Sequence, residues 1–120
     1  MKARLLFISL MLLGCCGVLS MESMCEQSLN QEVKDKCFSA LAFQRSNSLL
    51  CSRIQNSTAR DYCVMRVALL ELNESECSNI QSNLQEQCRN VVIGAMQNNS
   101  IICMMIKDNE TAEICRLRVS

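Results

Sequence analysis

The sequence predicts an all-α fold of four tandem helical hairpins, each closed by its own disulfide and stacked as an α-solenoid or a compact helical array. Past residue 20, eight cysteines are separated by 12, 14, 12, 14, 11, 15 and 12 residues, so the pattern repeats every 26 residues. Proline is absent and only three glycines occur, which removes the usual turn markers of an all-β protein. The eight cysteines are Cys25, Cys37, Cys51, Cys63, Cys77, Cys88, Cys103 and Cys115.

Asparagines mark the turns of each repeat unit. One asparagine lies near the midpoint of each successive cysteine pair, at Asn30, Asn56, Asn83 and Asn109. A second set follows the second cysteine of the first three units by about ten residues, at Asn47, Asn73 and Asn98, and leads to Ser48, Ser75 and Ser100. Because serine is a favoured N-cap, these serines are predicted to start the next helices. Each unit is therefore predicted as a short helix, an Asn turn and a longer helix.

Apolar residues recur at fixed distances from the cysteines and predict the core. The short helices carry Ile54, Ile80 and Ile106 three residues past the cysteine, and the first unit is expected to use Leu29 instead. The long helices carry a stripe four residues before, at and four residues after the cysteine, which places its members on one helical face. The stripes are Val33/Cys37/Leu41, Ala59/Cys63/Val67, Leu84/Cys88/Val92 and Thr111/Cys115/Val119.

The same symmetry favours disulfides within units. In an antiparallel hairpin, residues equidistant from the turn lie opposite each other, which pairs the cysteines consecutively as Cys25–Cys37, Cys51–Cys63, Cys77–Cys88 and Cys103–Cys115. The alternative of links between units, such as Cys63 to Cys77, has its midpoint at Leu70, inside a predicted long helix. A single domain of about 100 residues buries a small core, so such cross-links are expected to contribute strongly to its stability.

The first 20 residues are predicted to be a signal peptide, followed by one disulfide-rich helical repeat domain over 21–120. Lys2 and Arg4 precede the apolar run 5–13, which is too short to span a bilayer. Two cleavage sites compete. Residues 12–15 read Leu-Leu-Gly-Cys, with Cys15 where a lipid would be attached, whereas a cut after Ser20 leaves an even set of eight cysteines.

The leader resembles that of bacterial lipoproteins through its Leu-Leu-Gly-Cys lipobox, and residues 23–120 resemble cysteine-stapled helical-hairpin repeats of extracytoplasmic proteins in general. The resemblance implies an extracytoplasmic protein, either a lipoprotein of the outer membrane or periplasm or a secreted protein. Disulfides persist in those compartments. The resemblance carries no functional residues and names no functional family.

The composition argues against most enzyme chemistry. Histidine is absent, which excludes Ser-His-Asp and Cys-His catalysis and the His-Glu-x-x-His zinc motif. The cysteines lack the C-x2-C spacing of zinc and thioredoxin-like sites. We therefore expect no catalytic residue, no cofactor and no metal. Without Lys2 and Arg4, ten basic and twelve acidic residues give a net charge of −2, so nucleic acid is not expected as a partner.

Three further features have structural interpretations. Glu74 and Glu76 form a weak carboxylate pair that is better explained by the helix dipole. The Arg60-Asp61 pair is expected on a solvated helix face. Four Asn-x-Ser/Thr triplets start at Asn56, Asn73, Asn98 and Asn109; they are either glycosylation candidates or the repeat's own turns and caps.

The fourth unit carries a possible interaction patch at Ile101, Ile102, Met104 and Met105, because its long helix stops at Ser120 and is expected to leave this short helix with least cover.

The resulting hypothesis is a non-enzymatic, extracytoplasmic interaction protein. It would be lipid-anchored through Cys15, touch the membrane only through that lipid, and bind a protein or cell-envelope partner. The alternatives are a thiol-disulfide or redox-sensing protein, with Cys77–Cys88 as the labile bond, and a secreted effector or inhibitor.

Overall fold

The computed structural model describes residues 21–119, and within that range it contains helices and turns and no strand. The signal-peptide prediction and Cys15 lie outside the described residues. Residues 21–26 are helical, and the later elements alternate long α-helices with six-residue 3₁₀-helices. In chain order they are α1 (Gln31–Arg45), η1 (Ser48–Arg53), α2 (Ser57–Glu71), η2 (Glu74–Asn79), α3 (Leu84–Met96), η3 (Ser100–Met105) and α4 (Asn109–Val119).

In each of the four hairpins, one disulfide links the two helices. The Cα–Cα distances of 5.4, 5.7, 5.7 and 5.6 Å are typical of disulfides. The bonds are Cys25–Cys37, Cys51–Cys63, Cys77–Cys88 and Cys103–Cys115. The predicted all-α repeat fold and the pairing within units are therefore confirmed.

The short helices are 3₁₀-helices, and asparagine rather than serine caps each of them. The side-chain oxygens of Asn47, Asn73 and Asn99 accept hydrogen bonds from the backbone N–H two residues further on. The prediction that Ser48, Ser75 and Ser100 are the caps is wrong, because each lies inside its helix. An asparagine carboxamide reaches farther than a hydroxyl, and the tighter 3₁₀ winding suits such short pieces.

The long helices do not all begin with the same N-cap. Asn30 and Asn56 cap α1 and α2, accepting from the N–H groups of Glu32 and Ala59 at 2.9 and 3.0 Å. Asn83 makes no such bond. In the fourth unit Asp108 takes over, since its carboxylate accepts from the N–H of Thr111 at 3.1 Å and Asn109 is already helical. The predicted Asn turn therefore caps a helix in the first two units only.

The core is centred on α2, where Met65, Val67, Ala68 and Leu69 are fully buried. Ile54, Ile80 and Ile106 are buried as predicted, and the long-helix stripes lie against the core in the second, third and fourth units. The first unit differs. Val33 and Leu29, both predicted core residues, are 53% and 104% exposed. Both predictions are wrong because the sequence pattern of one unit does not report whether another unit covers it.

Packing between units explains why α2 is central. Each 3₁₀-helix lies between the long helix of its own unit and that of the preceding unit, and α2 also packs against α1, α3 and α4. The contact with α4 is not between neighbouring units. The Arg118 side chain donates to the carbonyl oxygen of Leu69 at 3.3 Å, tying the end of the chain back to α2. The fourth unit therefore folds back onto the second unit as well as packing against the third.

Gly94 marks the closest approach between α3 and η3. A Cβ atom at this position would lie 2.8 Å from Cγ2 and 3.0 Å from Cβ of Ile102. We expect Gly94→Ala to destabilise the protein, because overpacking of about 1–3 kcal/mol exceeds the gain of about 1 kcal/mol in helix propensity.

Urea denaturation of a double-mutant cycle with Ile102→Ala tests this contact. In the Ile102→Ala background, the same Gly94→Ala change should be neutral or stabilising. An equal loss of stability in both backgrounds would contradict the proposed clash.

Candidate interaction surfaces

The predicted C-terminal residues divide into three exposed side chains and one packed side chain. Ile101, Met104 and Met105 are 71%, 80% and 59% exposed. Ile102 instead turns onto Gly94 of α3. We call Ile101, Met104 and Met105 the C-terminal patch.

The reason for this exposure differs from the one expected. The helix η3 is covered on its inner side by α3 and α4, so that Cys103 and Ile106 are buried. The short fourth helix therefore does not leave η3 uncovered. The C-terminal patch lies on positions that are exposed in the preceding units as well.

Equivalent positions in the other units show that packing does not require methionine here. The two residues after the first cysteine are Ser52 and Arg53 in the second unit and Ser78 and Asn79 in the third, and all four are exposed and polar. Only the fourth unit has methionine at these two positions, as Met104 and Met105. Large apolar side chains at solvent-facing positions of a repeat are typical of contact surfaces.

A second surface is a groove between α1 and the start of α4, with α2 as its floor, that the sequence did not predict. Its volume is about 1110 Å³. Ala59, Tyr62 and Arg66 belong to the floor, and residues 107–114 contribute the wall opposite α1. The groove exists because α4 packs against α2, a contact that a nearest-neighbour repeat does not predict.

Arg66 joins three units at the floor of the groove. Its guanidinium donates to Ser39 Oγ at 2.6 Å and to the Glu110 carboxylate at 2.7 Å, and it lies 3.7 Å from Asp108. The Arg66 side chain is only 12% exposed. Burial, and then the negative charge of Asp108, raise the pKa of the Tyr62 hydroxyl above its ordinary value. At neutral pH the groove floor therefore presents a neutral phenol beside a paired cation.

Two buried aspartates, each two residues before the second cysteine of its unit, tie that unit to the next. Asp35 accepts from the N–H groups of Gln55 and Asn56 at 3.1 and 3.3 Å. Asp61 accepts from Ser82 Oγ at 2.7 Å. The expected solvated position of Asp61 is therefore wrong. The recurrence of aspartate at one position of the repeat was the available signal.

The pKa of the Asp35 carboxyl is lowered although the side chain is buried. Burial alone would raise it, but the hydrogen bonds from Gln55 N–H, the Gln31 amide and Asn56 N–H, with the charge of Lys34, outweigh burial. Because the pKa is lower in the folded state, the carboxylate stabilises the fold fully above its ordinary pKa of 3.8 and loses this effect as the pH falls through the folded-state value.

We expect Asp35→Asn to lower the free energy of unfolding by about 1 kcal/mol near neutral pH, because an amide accepts these hydrogen bonds less strongly than a carboxylate. Below the folded-state pKa, wild type and variant should unfold at similar urea concentrations. Glu32→Gln is the control, since Glu32 makes only an exposed ion pair with Lys36. A difference that persisted unchanged into strong acid would contradict this account.

The disulfide sulfurs are shielded from solvent. Cys77 and Cys88, the suggested labile pair, are both fully buried, and of the eight cysteines only Cys37 is half-buried. Thiol-disulfide exchange requires access of an attacking thiolate to sulfur, so this burial argues for structural disulfides. Within residues 21–119, no three His, Cys, Asp or Glu side chains come together as a metal-binding group.

The remaining polar candidates lie on the surface. Glu74 is exposed, while Glu76 accepts a hydrogen bond from Ser48 of the preceding 3₁₀-helix. The four asparagines of the Asn-x-Ser/Thr triplets are exposed. Asn56 and Asn73 serve as helix caps, and Asn98 has a left-handed backbone with a φ of 58°.

Comparison with known proteins adds no family. No protein-family model matches the chain, and neither a curated protein nor a solved structure does. Among the helices of the described part, none is both long and apolar enough to cross a membrane. The functional argument therefore depends on the surfaces of this chain itself.

Proposed function

We propose that this chain is a non-enzymatic, extracytoplasmic interaction protein that is anchored to the cell envelope by a lipid on Cys15 and binds its partner through the C-terminal patch. Four disulfides fit a protein outside the cytosol. Placement at the outer membrane or in the periplasm is part of the proposal and is supported by the lipobox at residues 12–15.

The observation that carries the proposal is the change from polar to apolar side chains at Met104 and Met105. These positions are exposed in the second and third units as well, so the methionines do not contribute to the core. Methionine adapts its shape to a partner and offers a polarisable sulfur. Burying such a side chain stabilises a complex by roughly 1.5–3 kcal/mol. Two methionines and Ile101 are enough for the centre of a modest interface.

The disulfides make this surface rigid. Cys103, the residue directly before Met104, is bonded to Cys115 of α4 and is buried. The backbone that presents the C-terminal patch is therefore held before any partner arrives. A surface ordered in advance loses less conformational entropy on binding.

The patch is tested with Met104→Ser/Met105→Ser in full-length protein cross-linked in native envelope preparations. Loss of two buried side chains should reduce recovery of the partner at least ten-fold, since about 1.4 kcal/mol already corresponds to that factor. Leu49→Ser is the matched control, because Leu49 is 73% exposed in the second unit, at the position equivalent to Ile101. Equal recovery with wild type and the double variant, with helical circular dichroism intact, would contradict the proposal.

The anchor is tested by intact mass and detergent-phase partitioning of the protein from its native host. We expect a lipid adduct that is lost in Cys15→Ser, together with a shift of the protein to the aqueous phase. A water-soluble wild-type protein that begins at Met21 would instead favour the secreted effector or inhibitor.

A further inference from the structure

The first unit exposes four large apolar side chains at the N-terminal end of the described array. Met21, Met24 and Val33 are 45%, 65% and 53% exposed, and Leu29 at the hairpin turn is 104% exposed. We call these four residues the N-terminal surface. They lie far in sequence from the C-terminal patch and belong to a different unit.

The other units show which way Met24 faces. The residue directly before the first cysteine of a unit contacts the preceding unit: Ile102 packs on Gly94, and Glu76 accepts a hydrogen bond from Ser48. Leu50, at the same position of the second unit, is buried. Met24 holds this position in the first unit. It therefore faces outward, away from the second unit.

Val33 also faces away from the second unit. Asp35, two residues further along α1, accepts hydrogen bonds from Gln55 and Asn56 of the second unit. Residues two apart on an α-helix lie on roughly opposite sides of it. Val33, which is 53% exposed, therefore lies on the side of α1 that the second unit does not cover.

Leu29 and Met21 occupy positions that are polar in every other unit. The residue four past the first cysteine is Leu29 in the first unit and Gln55, Gln81 or Lys107 in the others. The residue four before it is Met21 in the first unit and Asn47, Asn73 or Asn99 in the others. The first unit therefore departs from the repeat by placing apolar side chains on its outer surface.

The charges around this surface suit a lipid interface. Its two helices contain four acidic residues: Glu22, Glu26 and Glu32 each pair with a basic side chain, and Asp35 is buried against the second unit. Lys34, next to Val33, makes no close ion pair among the described residues, although its charge also acts on Asp35. An apolar surface bordered by a cation is typical of segments that lie in a bilayer interface and meet anionic headgroups.

The sequence also fixes how far this unit can lie from the anchor. Five residues separate Cys15 from Met21, and a fully extended chain of that length spans at most about 20 Å. A lipid on Cys15 would therefore keep the start of the first unit within about 20 Å of the bilayer surface.

We propose that Met21, Met24, Leu29 and Val33 rest in the interface of the bilayer that holds the Cys15 lipid, so that the first unit contacts lipid directly. This inference rests on the proposed lipid anchor, and it adds a second membrane contact to it. Such a surface would add to the attachment that the lipid provides and would orient the array relative to the bilayer.

The test uses the absence of tryptophan from the sequence. Full-length lipidated Leu29→Trp carries a single tryptophan, and it is reconstituted in phosphatidylethanolamine–phosphatidylglycerol vesicles with or without brominated acyl chains. We expect a blue-shifted emission that brominated lipid quenches by at least about two-fold. Met104→Trp is the control: the side chain is 80% exposed in the fourth unit and should be neither shifted nor quenched.

Each outcome decides the inference. No quenching of Leu29→Trp, in protein whose mass includes the lipid, overturns the membrane contact and leaves the anchor intact. A blue shift without quenching overturns it as well, because a second copy or another protein then covers the surface. Equal quenching at both positions removes its specificity for the first unit. A protein without lipid on Cys15 overturns the anchor and with it this inference.

Discussion

Removing the disulfide of the second unit should lower the free energy of unfolding by about 3 kcal/mol, by the chain-entropy argument for a loop of about 13 residues. Cys51→Ala/Cys63→Ala is the variant of choice because both sulfurs are buried beside the most buried helix. Loss of the cross-link leaves the unfolded chain freer, and removal of two buried sulfurs adds a packing defect. Stabilities of small domains are themselves about 5–15 kcal/mol, so this is a large fraction of the total.

Urea unfolding followed by circular dichroism measures the effect, with Cys25→Ala/Cys37→Ala as the matched control. Both bonds have a sequence separation of 12, but Cys37 is only half-buried and lies at the end of the array. We expect the control to lose the entropic contribution with a smaller packing cost. Equal losses would show that packing around Cys51 and Cys63 contributes little. Peptide mapping of the wild type that recovered Cys63–Cys77 as the major species would contradict the hairpin assignment.

The hairpin architecture could be predicted because the signals for the turn and for the disulfide both lie within each unit. An asparagine midway between two cysteines indicates a turn, and a turn places the cysteines opposite each other. The short helices were harder to predict, since a six-residue segment with one internal cysteine fits α and 3₁₀ winding equally well. Only the hydrogen bonds, such as Ile54 N–H to the Cys51 carbonyl at 3.0 Å, decide between them.

Exposure could be predicted only partly. Val33 follows the apolar spacing of the repeat and Leu29 was expected to replace the missing isoleucine, yet both belong to the first unit and are exposed. Of the C-terminal residues, Ile101, Met104 and Met105 are exposed, whereas Ile102 is packed against the close approach at Gly94. A periodic pattern reports which residues share a face, but it does not report which faces meet another unit.

The contact between the fourth and second units lies beyond any nearest-neighbour reasoning. A repeat predicts that each unit touches the next, and the aspartate ties at Asp35 and Asp61 follow that rule. Arg66 departs from it by reaching both Ser39 and Glu110. Nothing in the spacing of the cysteines marks this arginine, because its partners come from the first and the fourth units.

Arg66 therefore offers the strongest test of how the fourth unit is held against the second. Arg66→Glu removes the hydrogen bonds to Ser39 and Glu110 and the ion pair with Asp108, and it places a carboxylate beside two others. Hydrogen bonds to charged groups contribute about 1.5–3 kcal/mol, and like-charge repulsion adds to their loss. Glu110 is 81% exposed, so water screens part of the effect. We expect a net loss of about 3 kcal/mol in the free energy of unfolding, with α4 released from α2.

Amide hydrogen exchange separates local release from global destabilisation. In Arg66→Glu the amides of α4 should exchange faster than those of α1, because the lost contacts are the ones that hold the fourth unit against the second. Arg66→Lys keeps the charge without the fork of donors and should lie between wild type and Arg66→Glu. Combining Arg66→Glu with Glu110→Arg restores an opposite-charge pair and should recover part of the protection. If α4 kept wild-type protection in Arg66→Glu, the burial of Cys103 and Cys115 and the Arg118 contact to Leu69 would hold the fourth unit in place without Arg66.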